Sequence, residues 1–206
     1  RKTAAEAARN LQEARSLAAK PEAGRRAVAS YAEAVRLLPE GKARHGVLLE
    51  MLKLAAEQSL DVPPTDLAQQ HFTRGGVILK SAKGPTDLAR AAEEYRSAIV
   101  ESPWVATYYL NLAVTAALQQ HYREAILNMK LYLIAKPAAE DAQTVLTRLH
   151  ELEYEHERSL ASPLVLSRLR YKQDYEGTVG VLPPPLPVPA TGSGSGDAEK
   201  AKLRKN

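Results

Sequence analysis

Residues 105–137, VATYYLNLAVTAALQQHYREAILNMKLYLIAKP, constrain the fold more than any other stretch of this chain. Tyr109, Leu112, Ala113 and Ala116 fall on one face of a first helix. Ala125, Met129 and Tyr132 fall on one face of a second, and Pro137 ends the unit. Apolar residues at three- and four-residue intervals, followed by a residue that cannot continue a helix, predict a pair of amphipathic helices joined by a short turn.

The pattern recurs. Ala91, Tyr95, Ala98 and Pro103 lie 34 residues before Ala125, Met129, Tyr132 and Pro137, and Ile78 lies 34 before Leu112. Near the start, Ala27, Tyr31, Ala34 and Pro39 repeat the spacing, with Leu11, Ala14 and Ala18 in the preceding helix. Reading outward, the periodicity predicts helices over residues 3–19, 25–38, 42–60, 66–82, 87–101, 106–119, 122–135 and 139–159. Thr65 is the expected N-cap of the fourth helix and Thr86 of the fifth. Gly75 and Gly76 sit inside the fourth, which predicts either close packing against a neighbour or a kink. The third helix has a broad apolar face, so it is expected to pack on two sides. Ala27 and Ala91 are 64 residues apart, which is not twice 34. The third helix is therefore expected to be unpaired or to remain from a shortened repeat, capping the first hairpin before Pro63-Pro64 opens a second array.

This arrangement resembles the tetratricopeptide repeat family. Its 34-residue helix-turn-helix unit carries a large residue, Leu, a small residue, a bulky one, Ala, an aromatic, Ala and Pro at set offsets. Residues 106–139 match well, 72–105 in their second half, and 8–41 fairly, about half the chain in all. The resemblance implies an all-α, right-handed α-solenoid of helix-turn-helix hairpins, with the last helix as a cap whose second half, Glu151 to Glu157, turns polar. The expected organisation is an N-terminal segment (1–60) with one hairpin and an extra helix, and a second segment (65–159) with two hairpins and the cap. A short helical extension (160–176) and a disordered tail (177–206) follow. In the tail, LPPPLPVP suits polyproline II and TGSGSG a flexible linker.

The resemblance also implies a binding groove lined by the first helix of each hairpin, taking an extended peptide or a partner helix. Its positions here are Thr73, Val77 and Lys80, then Thr107, Leu110, Asn111 and Val114. Asn111 stands out, because an amide can grip a peptide backbone as donor and acceptor together. The carboxylate clamp of chaperone-binding relatives is not expected. Its positions hold Thr73, Val77, Thr107, Asn111, Asp141 and Val145, of which Asn111 alone agrees.

Catalysis is not expected, nor a cofactor. No P-loop, Gly-x-Ser-x-Gly or Gly-x-Gly-x-x-Gly motif occurs. One Glu-x-x-His, Glu153 to His156, lacks the second copy that a di-metal bundle needs. The histidines at 45, 71, 121, 150 and 156 include no i,i+4 pair, and cysteine is absent, so no metal site is expected. The net charge of +4 is spread out, which does not point to nucleic acid. No apolar run reaches the roughly 20 residues of a membrane span, so no membrane insertion is expected. The chain begins at Arg1 and not at Met, from which loss of an upstream segment is expected, and the compartment stays open, cytoplasmic or periplasmic. The expectation is a non-catalytic scaffold for a protein or peptide partner, within a larger assembly. The alternatives are a self-associating structural subunit and a regulatory fragment of a larger enzyme.

Overall fold

The computed structural model describes residues 2–39 and 41–161, all within the first of the two units into which the chain divides, Arg1–Ser162. The expected extension and tail lie outside the described residues.

Among the described residues there are eight α-helices and no strand. They are α1 (Lys2–Ala18), α2 (Gly24–Leu37), α3 (Lys42–Glu57), α4 (Asp66–Ser81), α5 (Pro85–Glu101), α6 (Ala106–Leu118), α7 (Tyr122–Ala135) and α8 (Ala142–Ala161). A 3-10 turn, Pro21–Ala23, links α1 to α2. The most extensive packing joins α1 with α2, α4 with α5, and α6 with α7. Sequential neighbours α2 and α3, α5 and α6, and α7 and α8 pack next most closely.

Alanine sets these approaches. Ala14, Ala27, Ala34, Ala91, Ala98, Ala113, Ala116 and Ala125 are fully buried where helices meet. A methyl side chain lets two backbones come close, and the space beyond is filled by Tyr95, Tyr109, Met51 and Met129, all 2% exposed or less. Pro103 and Pro137 follow the ends of α5 and α7, as the spacing predicts.

The broad apolar face of α3 packs on two helices, α2 and α7. Val47, Met51, Leu52 and Leu54 of α3 share one core with α1, α2, α6, α7 and α8. The segments 1–60 and 65–159 thus bury apolar surface against each other. Polar contacts reinforce the junction. The Arg36 guanidinium donates to the carbonyls of Val100 (3.2 Å) and Glu101 (2.7 Å) at the end of α5. Those carbonyls have no partner within their own helix, and a cation there is favoured by the helix dipole. Trp104 Nε1 donates to the Val62 carbonyl at 3.1 Å, tying the α5–α6 turn to the α3–α4 link.

Gly75 explains why α4 runs unbroken through two glycines. A β-carbon at Gly75 would lie 2.8 Å from Cε1 of Tyr95, so the missing side chain is the space the Tyr95 ring occupies. The expected cap at Thr86 is corrected: α5 begins two residues earlier than expected, at Pro85, with Gly84 as N-cap. Proline supplies a preset φ and has no N–H to satisfy, which suits the first helical position. The Asp87 carboxylate accepts the Lys83 N–H at 3.0 Å and closes the turn. Thr65 does cap α4, its hydroxyl accepting the Ala68 N–H at 3.2 Å, while its own N–H donates to the buried Ser102 Oγ at 3.0 Å.

Candidate functional site

The predicted groove residues lie on α4 and α6, and packing fixes how these helices stand. The Phe72 ring lies 4.9 Å from that of Tyr108, and Phe72, Ile78 and Leu79 pack in the same cluster as Leu112. The start of α4 (Ala68, Phe72) shares a cluster with Tyr108, and its later part (Ile78, Leu79) with Leu112, the order expected of helices that run in the same direction. Their buried positions are in phase as well. Gly75 of α4 corresponds to Tyr109 of α6, and the half-buried Leu79 to Ala113.

The outward positions then form a common face. Thr73, Val77 and Lys80 are exposed on α4; Thr107 and Val114 are exposed on α6, with Leu110 and Asn111 half-buried between them. Val77 is 62% exposed and Val114 41%. Leu118, 59% exposed, continues the stripe one turn beyond Val114 and was not among the predicted residues. The sequence signal for it was present: 107, 111, 114 and 118 form one helical stripe.

Asn111 is less free than its residue type suggests. Its Nδ2 donates to the Thr107 carbonyl at 2.9 Å, one turn back on the same helix. Its carbonyl oxygen and second N–H remain to meet a ligand. Thr73 likewise turns inward, its hydroxyl donating to the Gln69 carbonyl at 2.8 Å. The hydroxyl of Thr115, fully buried behind the face, donates to the main-chain carbonyl of Asn111 at 2.8 Å. The face is consequently more apolar than the list of its side chains implies.

Charge is one-sided. Arg74, Lys80 and Lys83 flank the stripe on the α4 side, and none has an ion-pair partner among the described residues. The histidine of α4, His71, faces the other way and bonds the Glu94 carboxylate of α5 at 2.7 Å. Burial pushes the phenols of Tyr95 and Tyr108 up from their ordinary value, so both are neutral fillers beneath the face.

Among the described residues, no group of three or more His, Asp or Glu side chains is placed to hold a metal ion. No described helix is long and apolar enough to cross a membrane. A recess of about 250 Å³ borders the start of α6, walled by Leu60, Val62, Pro63, Trp104, Thr107 and Lys136. It is smaller than most small-molecule sites, which run from roughly 300 to 1,000 Å³. What the α4–α6 face offers is an apolar stripe, a cationic margin and one half-engaged amide. That set can seat a partner's side chains and main chain, and it contains no paired nucleophile and base. Compared with known proteins, the chain matches no family model, no curated protein and no solved structure.

Proposed function

We propose that this chain is a non-catalytic interaction module of the tetratricopeptide kind, holding a protein partner on the face of α4 and α6. One observation supports the reading: Val77 of α4 and Val114 and Leu118 of α6 are exposed large apolar side chains, on helices joined beneath by the Phe72–Tyr108 ring contact. Scattered single apolar residues on a surface are ordinary, whereas a contiguous stripe with a polar margin marks a docking surface. Three closely packed hairpins, α1–α2, α4–α5 and α6–α7, support the repeat reading, as do the buried alanines at the expected offsets. Fold alone does not name a ligand, so the partner's chemistry must come from the face itself.

The test is affinity capture with three forms of the chain. Wild type and a control, Leu127→Asp, should retain the same bound proteins, since Leu127 is an exposed apolar residue of α7 outside the stripe. Val77→Asp/Val114→Asp should lose them at unchanged helicity. Retention of the same proteins by the double variant refutes the assignment.

A further inference from the structure

We infer that the segment held on the α4–α6 face is an acidic peptide with large apolar side chains, gripped along its length and not by a free terminus. The inference rests on that face being the docking surface, and it names the chemistry of the occupant.

The face holds cations and no acid. Residues 69–86 carry Arg74, Lys80 and Lys83 without a carboxylate, and α6 carries no charged residue at all. The carboxylates that begin α5 and follow along it are engaged elsewhere. Asp87 accepts the Lys83 N–H and faces Arg90 at 4.0 Å, Glu93 pairs with Arg96 at 3.3 Å, and Glu94 bonds His71 at 2.7 Å. Asp66 stands at the far end of α4, about 21 Å from Lys80 along the helix.

Helical phase puts one of these cations inside the groove. On α4, Phe72 meets Tyr108 of α6, and His71 meets Glu94 of α5. At about 100° per residue, Lys80 lies about 80° round from Phe72 and Val77 about 140°, in the same sense. On α6, Asn111, Leu118 and Val114 lie about 60°, 80° and 120° round from Tyr108, in the opposite sense. For two helices running the same way, opposite senses open to one side, so these side chains line a common groove. Lys80 stands in it between Val77 and α6. Measured from the Phe72–Tyr108 contact, Lys80 is about 12 Å along, between Val114 at about 9 Å and Leu118 at about 15 Å. A carboxylate seated on Lys80 therefore has apolar surface on either side of it, and the free N–H of Asn111 is a second donor in the same groove.

Other occupants suit the face less well. A second copy laid face to face would set Arg74, Lys80 and Lys83 against their own images. Membrane-seeking surfaces carry bulky Trp, Phe or Leu, whereas two of the three exposed apolar residues here are valines. The positions of the carboxylate clamp hold no cation, so a chain terminus has nothing to grip it there.

Fluorescence anisotropy at low salt, with synthetic peptides blocked at both ends, tests this on the full chain. One peptide has leucines at helical spacing among glutamates, a second has serines in place of the leucines, and a third has lysines in place of the glutamates. Wild type should bind the leucine–glutamate peptide at least about tenfold more tightly than either of the others, and less tightly as salt is raised. Lys80→Glu/Lys83→Glu should exchange the preference, favouring the leucine–lysine peptide. Lys80 also complements the dipole at the end of α4, so far-UV circular dichroism should accompany the binding curves and show unchanged helicity. No binding of the leucine–glutamate peptide, equal binding of the serine form, or a preference that the double glutamate variant does not exchange overturns the inference. So does wild type that pellets with vesicles of phosphatidylcholine and phosphatidylserine while ignoring all three peptides. If the peptides show no preference yet Val77→Asp/Val114→Asp loses its captured proteins, the inference falls and the docking face stands. If the double aspartate variant keeps both the captured proteins and the leucine–glutamate peptide, both fall.

Discussion

Gly75 and Gly76 are adjacent on α4 and have opposite surroundings. A β-carbon at Gly75 would meet Tyr95 at Cε1 (2.8 Å), Cδ1 (3.0 Å) and Cζ (3.1 Å). The ring cannot retreat: Tyr95 is 1% exposed and abuts Phe72, 5.8 Å away between centroids. A β-carbon at Gly76 would meet only the Tyr95 hydroxyl, at 3.8 Å, an ordinary contact. Alanine in place of glycine within a helix stabilises by about 0.8–1 kcal/mol at either position. Forcing an extra carbon into a packed site costs about 1–3 kcal/mol. Gly76→Ala should therefore raise stability by up to about 1 kcal/mol, and Gly75→Ala should lower it by about 0–2 kcal/mol. The helix term is common to both, so their difference of about 1–3 kcal/mol isolates the clash with Tyr95. Urea unfolding followed by far-UV circular dichroism reads it as a difference in midpoint at equal slope. Adding Tyr95→Leu should shrink the penalty of Gly75→Ala, because the two changes share one space. Equal midpoints for the two alanine variants would refute the packing argument.

Arg36→Ala should cost about 1–2 kcal/mol, since it strands two carbonyls at the end of α5 and loses a charge-assisted bond across the junction; urea midpoints measure this, and Arg36→Lys should restore only part of it. Alkali should destabilise the fold from about pH 10 upward. Burial, helped by the bond to Asp141, pushes the Tyr132 phenol up to about 12, and burial raises Tyr109, which donates to the Pro103 carbonyl at 2.5 Å. The unfolded chain gives up these protons first, so the stabilisation is whole below pH 10 and is lost as pH rises towards 12; phenolate absorbance should appear together with unfolding. At the acid end, the bond from Arg15 holds the Glu50 carboxyl below its usual value. Its contribution is present above the ordinary value of 4.5 and lost as pH falls through the lowered one. The pair is largely exposed, so Glu50→Gln should remove less than about 1 kcal/mol together with that part of the acid dependence.

The helices were legible because their evidence is local. Each hairpin needs alanine at a close crossing and a bulky residue one turn on, and both lie within one short stretch of chain. The two-sided packing of α3 was legible from its broad apolar face. Its second partner, α7, was not, because that contact joins residues some 80 positions apart and leaves no periodic mark. Gly75 shows the same limit: within its own helix it reads as a weak point, and the ring that explains it belongs to α5. On the proposed docking face, exposure followed helical phase, which gave Val77 and Val114 and equally supported Leu118. The engagement of Asn111 with Thr107 could not be read, because an amide on a helix surface is equally able to bond its own backbone or a ligand.

The contact of α3 with α7 bears on how the gene could change. An array in which each unit touches only the next can gain or lose a unit without disturbing the others. Here the third helix grips the seventh, across the hairpin of α4 and α5. Excising that hairpin would leave the α3–α4 link to span the gap alone, and inserting another would push α7 away from α3. The chain is expected to evolve at a fixed number of helices, varying its faces rather than its length. Amide hydrogen exchange should report the same closure, with α3 and α7 opening together and not one hairpin at a time.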